Sequence, residues 1–170
     1  SLEALEILDG VIDIYMPDMK YSNDAAAERY SNAPDYFEIN KKAVKEMYGQ
    51  VGDLKIEKGI AKKGLLIRHL VLPDNLAGSK EIFEFIAKEL SPDTYVNIMA
   101  QYYPCHLVGD GRDRPLQKFP EIGRRITARE YIEAIRLAKM AGLKNGFRQV
   151  MSTIKRKRIP EWTDNLKKSV

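Results

Sequence analysis

The segment Met16-Pro17-Asp18-Met19-Lys20-Tyr21 sets a carboxylate and an ammonium two residues apart, directly after an apolar run. An opposed pair at this spacing can grip a zwitterion, the carboxylate meeting an ammonium and the lysine meeting a carboxylate or hydroxyl. Arg68 stands inside the apolar run Leu65 to Leu72, where a guanidinium needs an anion within reach. Asp13, Asp18 and a ligand carboxylate are the candidates. Two more polar residues interrupt apolar runs, Asp13 in Val11 to Tyr15 and Asn97 in Thr94 to Met99. Each is either a site residue or a group satisfied by a neighbouring strand. His69 alternates to the face opposite Arg68 and reads as a packing residue. Gln101-Tyr102-Tyr103-Pro104-Cys105-His106 gathers amide, phenol, thiol and imidazole groups, but adjacent Cys and His rarely take the geometry of a nucleophile and its base. Cys105 is therefore expected to be packed. The sequence contains no Gly-rich phosphate loop, no His-Glu-x-x-His and no Gly-x-Ser-x-Gly.

These residues need elements to position them. Val11 to Tyr15, Leu65 to Leu72 and Thr94 to Met99 are short runs rich in β-branched and large apolar residues, the pattern of buried strands. Between them the period becomes helical. Tyr36, Ile39, Ala43, Val44 and Met47 form one apolar face of a helix starting after Pro34 and ending near Gly49. Ser79 caps a second helix with the stripe Ile82, Phe83, Ile86 and Leu90. Thr127-Ala128-Arg129-Glu130 has the spacing of a capping box and opens a third helix that stops at Gly142. Leu54 to Ile60 reads as an inserted hairpin around Gly59, and 103–126 as a long irregular loop. Alternating strands and helices predict parallel pairing with right-handed crossovers, in a doubly wound sheet or a barrel. Three strands make a thin sheet for 170 residues, so the chain reads as part of a larger fold.

Composition narrows the classes. With 44% hydrophobic and 31% charged residues the chain can bury one core. No apolar run approaches the length of a membrane-spanning helix, and Ser1 to Glu6 has no signal-peptide pattern. A cytoplasmic location is the expectation, and no membrane partner is expected. A single cysteine excludes an internal disulfide and any cluster held by several cysteines of this chain. The net charge of +4 resides in the tail, where residues 144–170 hold eight Lys/Arg against two acidic residues. The expected organisation is an α/β domain over 1–143 and a basic C-terminal tail over 144–170. The run Lys155 to Arg158 lacks interleaved aromatics, so nucleic acid is not the expected partner.

Leu8 to Tyr21 resembles the fourth-strand region of radical S-adenosylmethionine proteins similar to pyruvate formate-lyase activating enzyme. Leu66-Ile67-Arg68-His69-Leu70-Val71-Leu72-Pro73, Tyr95-Val96-Asn97-Ile98-Met99, Gln101-Tyr102-Tyr103-Pro104 and Arg125 to Leu143 agree with that family in order. The resemblance implies the C-terminal half, strands four to six, of a partial (β/α)6 TIM-like barrel. It implies S-adenosylmethionine and a 4Fe-4S cluster as cofactors, and a radical that abstracts hydrogen from a small molecule or a protein such as a glycyl-radical enzyme. The resemblance implies cofactor-binding roles for four residues: Asp18 and Lys20 fall where the family contacts S-adenosylmethionine, Arg68 where a barrel-interior arginine lies near cofactor or substrate, and Tyr102 roughly where related enzymes place a histidine toward the cofactor. The family's Cys-x-x-x-Cys-x-x-Cys and Gly-Gly-Glu segments are absent from this sequence. The expectation is therefore an inactive portion that pairs with a missing N-terminal half or with itself, binding no cluster alone. The rival is a non-catalytic half-barrel module whose basic tail meets an acidic partner or nucleic acid.

Overall fold

The structure, a computed structural model, describes residues 1–105, 107–108 and 118–148. His106 and the basic run Lys155 to Arg158 lie outside the described residues. The chain enters through helix α1 (Leu2–Ile7), whose N-terminus is capped by the Ser1 hydroxyl accepting from the Ala4 N–H. Strand β1 (Ile14–Tyr15) begins later than the apolar run suggests. Val11 is still hydrogen-bonded back to the Leu8 carbonyl in the turn leaving α1 and is 67% exposed. Helices α2 (Asp24–Ser31) and α3 (Tyr36–Val51) follow, the latter reaching past Gly49 to Gly52.

The expected hairpin is formed by β2 (Lys55–Glu57) and β3 (Ile60–Leu70), paired antiparallel. Its two-residue turn has Lys58 and Gly59 both at positive φ, the conformation that matches the twist of tight hairpins. Gly64 marks where β3 leaves the hairpin and joins the main sheet. A Cβ there would lie 2.4 Å from the Asp53 carbonyl oxygen, so only glycine allows the two backbones to approach this closely. Helix α4 (Ser79–Phe85) widens into a π-type turn over Ile86–Leu90 before β4 (Tyr95–Met99). Helix α5 (Ala128–Met140) has the full capping box. Strand β5 (Gly146–Arg148) then pairs with β4, so the sheet continues into the stretch assigned above to the basic tail.

The chain is an α/β structure with a mostly parallel five-stranded sheet. Its main path runs β1-β3-β4-β5, with β2 paired to β3 off that path. The four parallel strands are neighbours in sequence order, so the described residues contain no reversal of the kind that divides a doubly wound sheet. One core lies on one side of the sheet. Tyr15, Leu65, Ile67, Val71, Val96 and Ile98 alternate onto that side and meet Val44 of α3, Phe83 of α4 and Tyr131 and Ala138 of α5. The opposite face, carrying Leu66, Arg68, Leu70, Tyr95 and Asn97, is only half-buried. At the C-terminal strand ends a second, smaller core of Tyr21, Ala27, Leu72 and Ala77 seats α2.

Candidate functional site

Backbone register builds the site. Ile14 pairs with Gly64, and the same offset places Asp18 opposite Arg68, with the Met19 N–H donating to the Arg68 carbonyl at 2.9 Å. Arg68 is opposite Asn97 on β4, and Asn97 is opposite Phe147 on β5. Asp18, just beyond β1, and Arg68, Asn97 and Phe147 thus form one row across the sheet, on the half-buried face opposite the main core. Of the anions open to Arg68, the one it meets is Asp18: Nε donates to Oδ1 at 2.7 Å. The other carboxylate oxygen meets Lys20 Nζ at 3.0 Å. Asp18 therefore bridges two cations.

The strand-end turn is held from behind by α3. The Asp18 carbonyl accepts from the Tyr36 hydroxyl and from Asn40 Nδ2, while the Lys20 N–H donates to the Tyr36 oxygen at 3.0 Å. Burial raises the Tyr36 phenol above its ordinary pKa, which keeps it a neutral donor and acceptor. Asn40 Oδ1 is buried without a partner among the described residues. Tyr36 and Asn40 stand one helical turn apart on the face turned to Asp18. That i, i+4 spacing was the available signal for a backing role that sequence reading missed.

His69 is fully buried on the opposite face of β3, as alternation requires. Its Nδ1–H donates to the Met19 carbonyl and its Nε2 accepts from the Ser79 hydroxyl, each at 2.8 Å, and its ring packs edge-on against Phe83. The residue ties the turn between Asp18 and Lys20 to β3 and α4. Burial pushes its pKa down to about 4, so the imidazole is neutral.

Tyr102 belongs to another cluster. Its hydroxyl donates to the Ile122 carbonyl at 2.7 Å, and burial, reinforced by Cys105, Tyr21 and Tyr30, pushes the phenol up to about 12. Cys105 is exposed, contrary to the packed position expected, because Pro104 takes the buried place in this segment. A separate cleft of about 430 Å3 opens on the helix side, between Val71, Leu72 and Asp74 after β3 and Arg129, Ala134 and Leu137 of α5. It includes none of Asp18, Lys20, Arg68 or Tyr102.

The donor set suits a zwitterionic or anionic organic ligand, with opposed charges fixed at the end of a parallel strand. It does not suit an iron-sulfur cluster. One cysteine cannot supply three thiolates, and the described residues contain no group of three His, Cys, Asp or Glu able to hold a metal ion. No helix among the described residues is long and apolar enough to cross a membrane.

Fold and site together define an α/β unit with an ion-paired row on the half-buried face of its sheet. The chain is similar to the uncharacterized protein MJ0674 of Methanocaldococcus jannaschii, with 32% identity over 144 residues. The match takes in 84% of this chain and 36% of that protein, so the chain spans about a third of the length of the curated relative it matches. No family model and no solved structure matches the chain.

Proposed function

We propose that this chain is the C-terminal portion of a radical S-adenosylmethionine protein similar to pyruvate formate-lyase activating enzyme, comprising strands four to six of a partial (β/α)6 barrel. The observation that carries the reading is the coincidence of sequence-ordered parallel strands, a main helical core on one side of the sheet, and a charged row on the other, half-buried face. In β/α barrels consecutive strands are neighbours, helices lie outside, and functional groups come from the C-terminal strand ends. On this reading β1, β3 and β4 are the three barrel strands and β5 an additional strand beside them.

Lys20 binds the carboxylate or a hydroxyl of S-adenosylmethionine, and Asp18 accepts from its ammonium. Arg68 orients the Asp18 carboxylate, and Tyr36, Asn40 and His69 hold the turn that presents the pair. Tyr102 donates its hydroxyl hydrogen to the Ile122 carbonyl, and the phenol oxygen can still accept from the cofactor. The cofactors supply the radical chemistry, while these residues supply position. The cluster does not fit the residues of this chain and is assigned to sequence outside it. The exposed Ile14 and Met16 on the same face favour a second reading, a self-associating binding module.

The test begins in the coding sequence. A reading frame continuing upstream of Ser1 through a Cys-x-x-x-Cys-x-x-Cys segment supports the proposal, and an initiator codon directly before Ser1 sinks it. In the full-length protein, calorimetry should show Lys20→Ala weakening S-adenosylmethionine binding roughly tenfold to hundredfold through loss of a charge-assisted hydrogen bond. Unchanged affinity would remove the site assignment.

A further inference from the structure

Asp18 satisfies Arg68 through Nε alone, and the terminal nitrogens Nη1 and Nη2 have no partner among the described residues. Asn97, its register partner on β4, likewise has a side-chain amide without a partner among those residues and lies half-buried rather than sealed. Adjacent strands are about 4.8 Å apart, so both side chains rise from one face at neighbouring positions. The next residue of the row is Phe147, whose ring lies 5.6 Å from that of Tyr95 at a 35° tilt. Lys20 and Arg68 against Asp18 leave this trio with one positive charge in excess. A guanidinium edge, a free amide and an uncompensated charge, bordered by two aromatic rings, match a planar carboxylate carried on an apolar body.

We infer that Arg68 and Asn97 form a carboxylate subsite for a small-molecule substrate, separate from the Asp18 and Lys20 pair that meets the cofactor. The inference deepens the function proposed above and rests on the same sheet face. Arg68 has two roles in it, with Nε fixed to Asp18 and the terminal N–H groups donating to the ligand. Asn97 supplies a further N–H and fixes the plane of the carboxylate. The Tyr95 and Phe147 rings take the apolar part.

The probe is benzoate, titrated into the 170-residue chain labelled with 15N, at constant ionic strength, with benzyl alcohol as the uncharged control. Saturable shifts should appear at the Arg68 Nε–H and the Asn97 amide, with millimolar affinity for benzoate and at least tenfold weaker binding of the alcohol. Asn97→Leu should weaken benzoate about tenfold while leaving the backbone spectrum dispersed. Arg68→Lys keeps the charge and loses the fork, and it should weaken benzoate by a similar factor. Shifts that rise linearly and spread over exposed lysines and arginines, or equal binding of the alcohol, would overturn the subsite. Displacement of benzoate by S-adenosylmethionine would overturn its assignment to substrate. Failure here with Lys20-dependent cofactor binding intact in the full-length protein would refute the subsite and leave the proposed function standing.

Discussion

His69 couples the site turn to the core, and its chemistry makes that coupling sensitive to acid. Both ring nitrogens are engaged in the neutral tautomer, with Met19 accepting and Ser79 donating. The folded pKa of about 4 lies below the ordinary value of 6.5, so the folded state resists a proton that the unfolded chain takes up. The resulting stabilisation is complete above pH 6.5 and is lost as pH falls toward 4, with a slope of about 1.4 kcal/mol per pH unit. Urea unfolding at pH 7 and pH 5 should show this loss, and His69→Gln should lose less across the same interval. Direct NMR titration of the imidazole gives a second measure. An apparent pKa near 6.5 would show that the ring is solvated in the folded protein.

Helix α5 is joined to the loop after β3 through one carboxylate. Glu130 closes the capping box by accepting from the Thr127 N–H and hydroxyl, and it also accepts from the Asp74 N–H and from Arg124. The Arg124 guanidinium is the first cause holding the Glu130 carboxyl well below the usual carboxylate range, and Glu130 in turn raises Arg124. Its contribution is present above the ordinary carboxylate pKa and lost as pH falls below it. Thr127→Ala should cost about 1 kcal/mol, and Glu130→Ala more, because it also releases Asp74, held at φ +54°. The double variant should fall short of additivity by about 0.5–1 kcal/mol, measured as a double-mutant cycle in thermal or chemical unfolding. Strict additivity would show that the two residues act independently.

At the scale of the whole molecule, the main core covers one face of the sheet, and the other face is half-buried among the described residues. Ile14 is 38% and Met16 52% exposed, and β1 pairs on one edge only. An apolar face beside a free strand edge invites association, although Pro17 and the Lys20 charge blunt that edge. Sedimentation velocity over a wide concentration range should show reversible association of this chain in the micromolar to millimolar range, suppressed by Met16→Lys. A monomer throughout would mean that the face is stable in water, and would count against both the half-barrel reading and the association module.

Periodicity in the chain already contained the helices at 36–51, 79–90 and 128–140 and the strands around 65–70 and 95–99, because burial on one side imposes a period that local sequence must carry. It also marked Asp18, Lys20 and Arg68, since a charge inside or just beyond an apolar run is conspicuous. Helix α2 and strand β5 escaped notice because eight polar-leaning residues and three residues containing a glycine have too little length to display a period. Pattern also left Arg68 with Asp13, Asp18 or a ligand to choose from. Alternation tells which face a side chain takes, but the residue opposite it depends on register, which is set by pairing between segments some 50 positions apart. The row from Asp18 to Phe147, and the backing of its turn by Tyr36, Asn40 and His69, exist only once four strands and α3 are packed together.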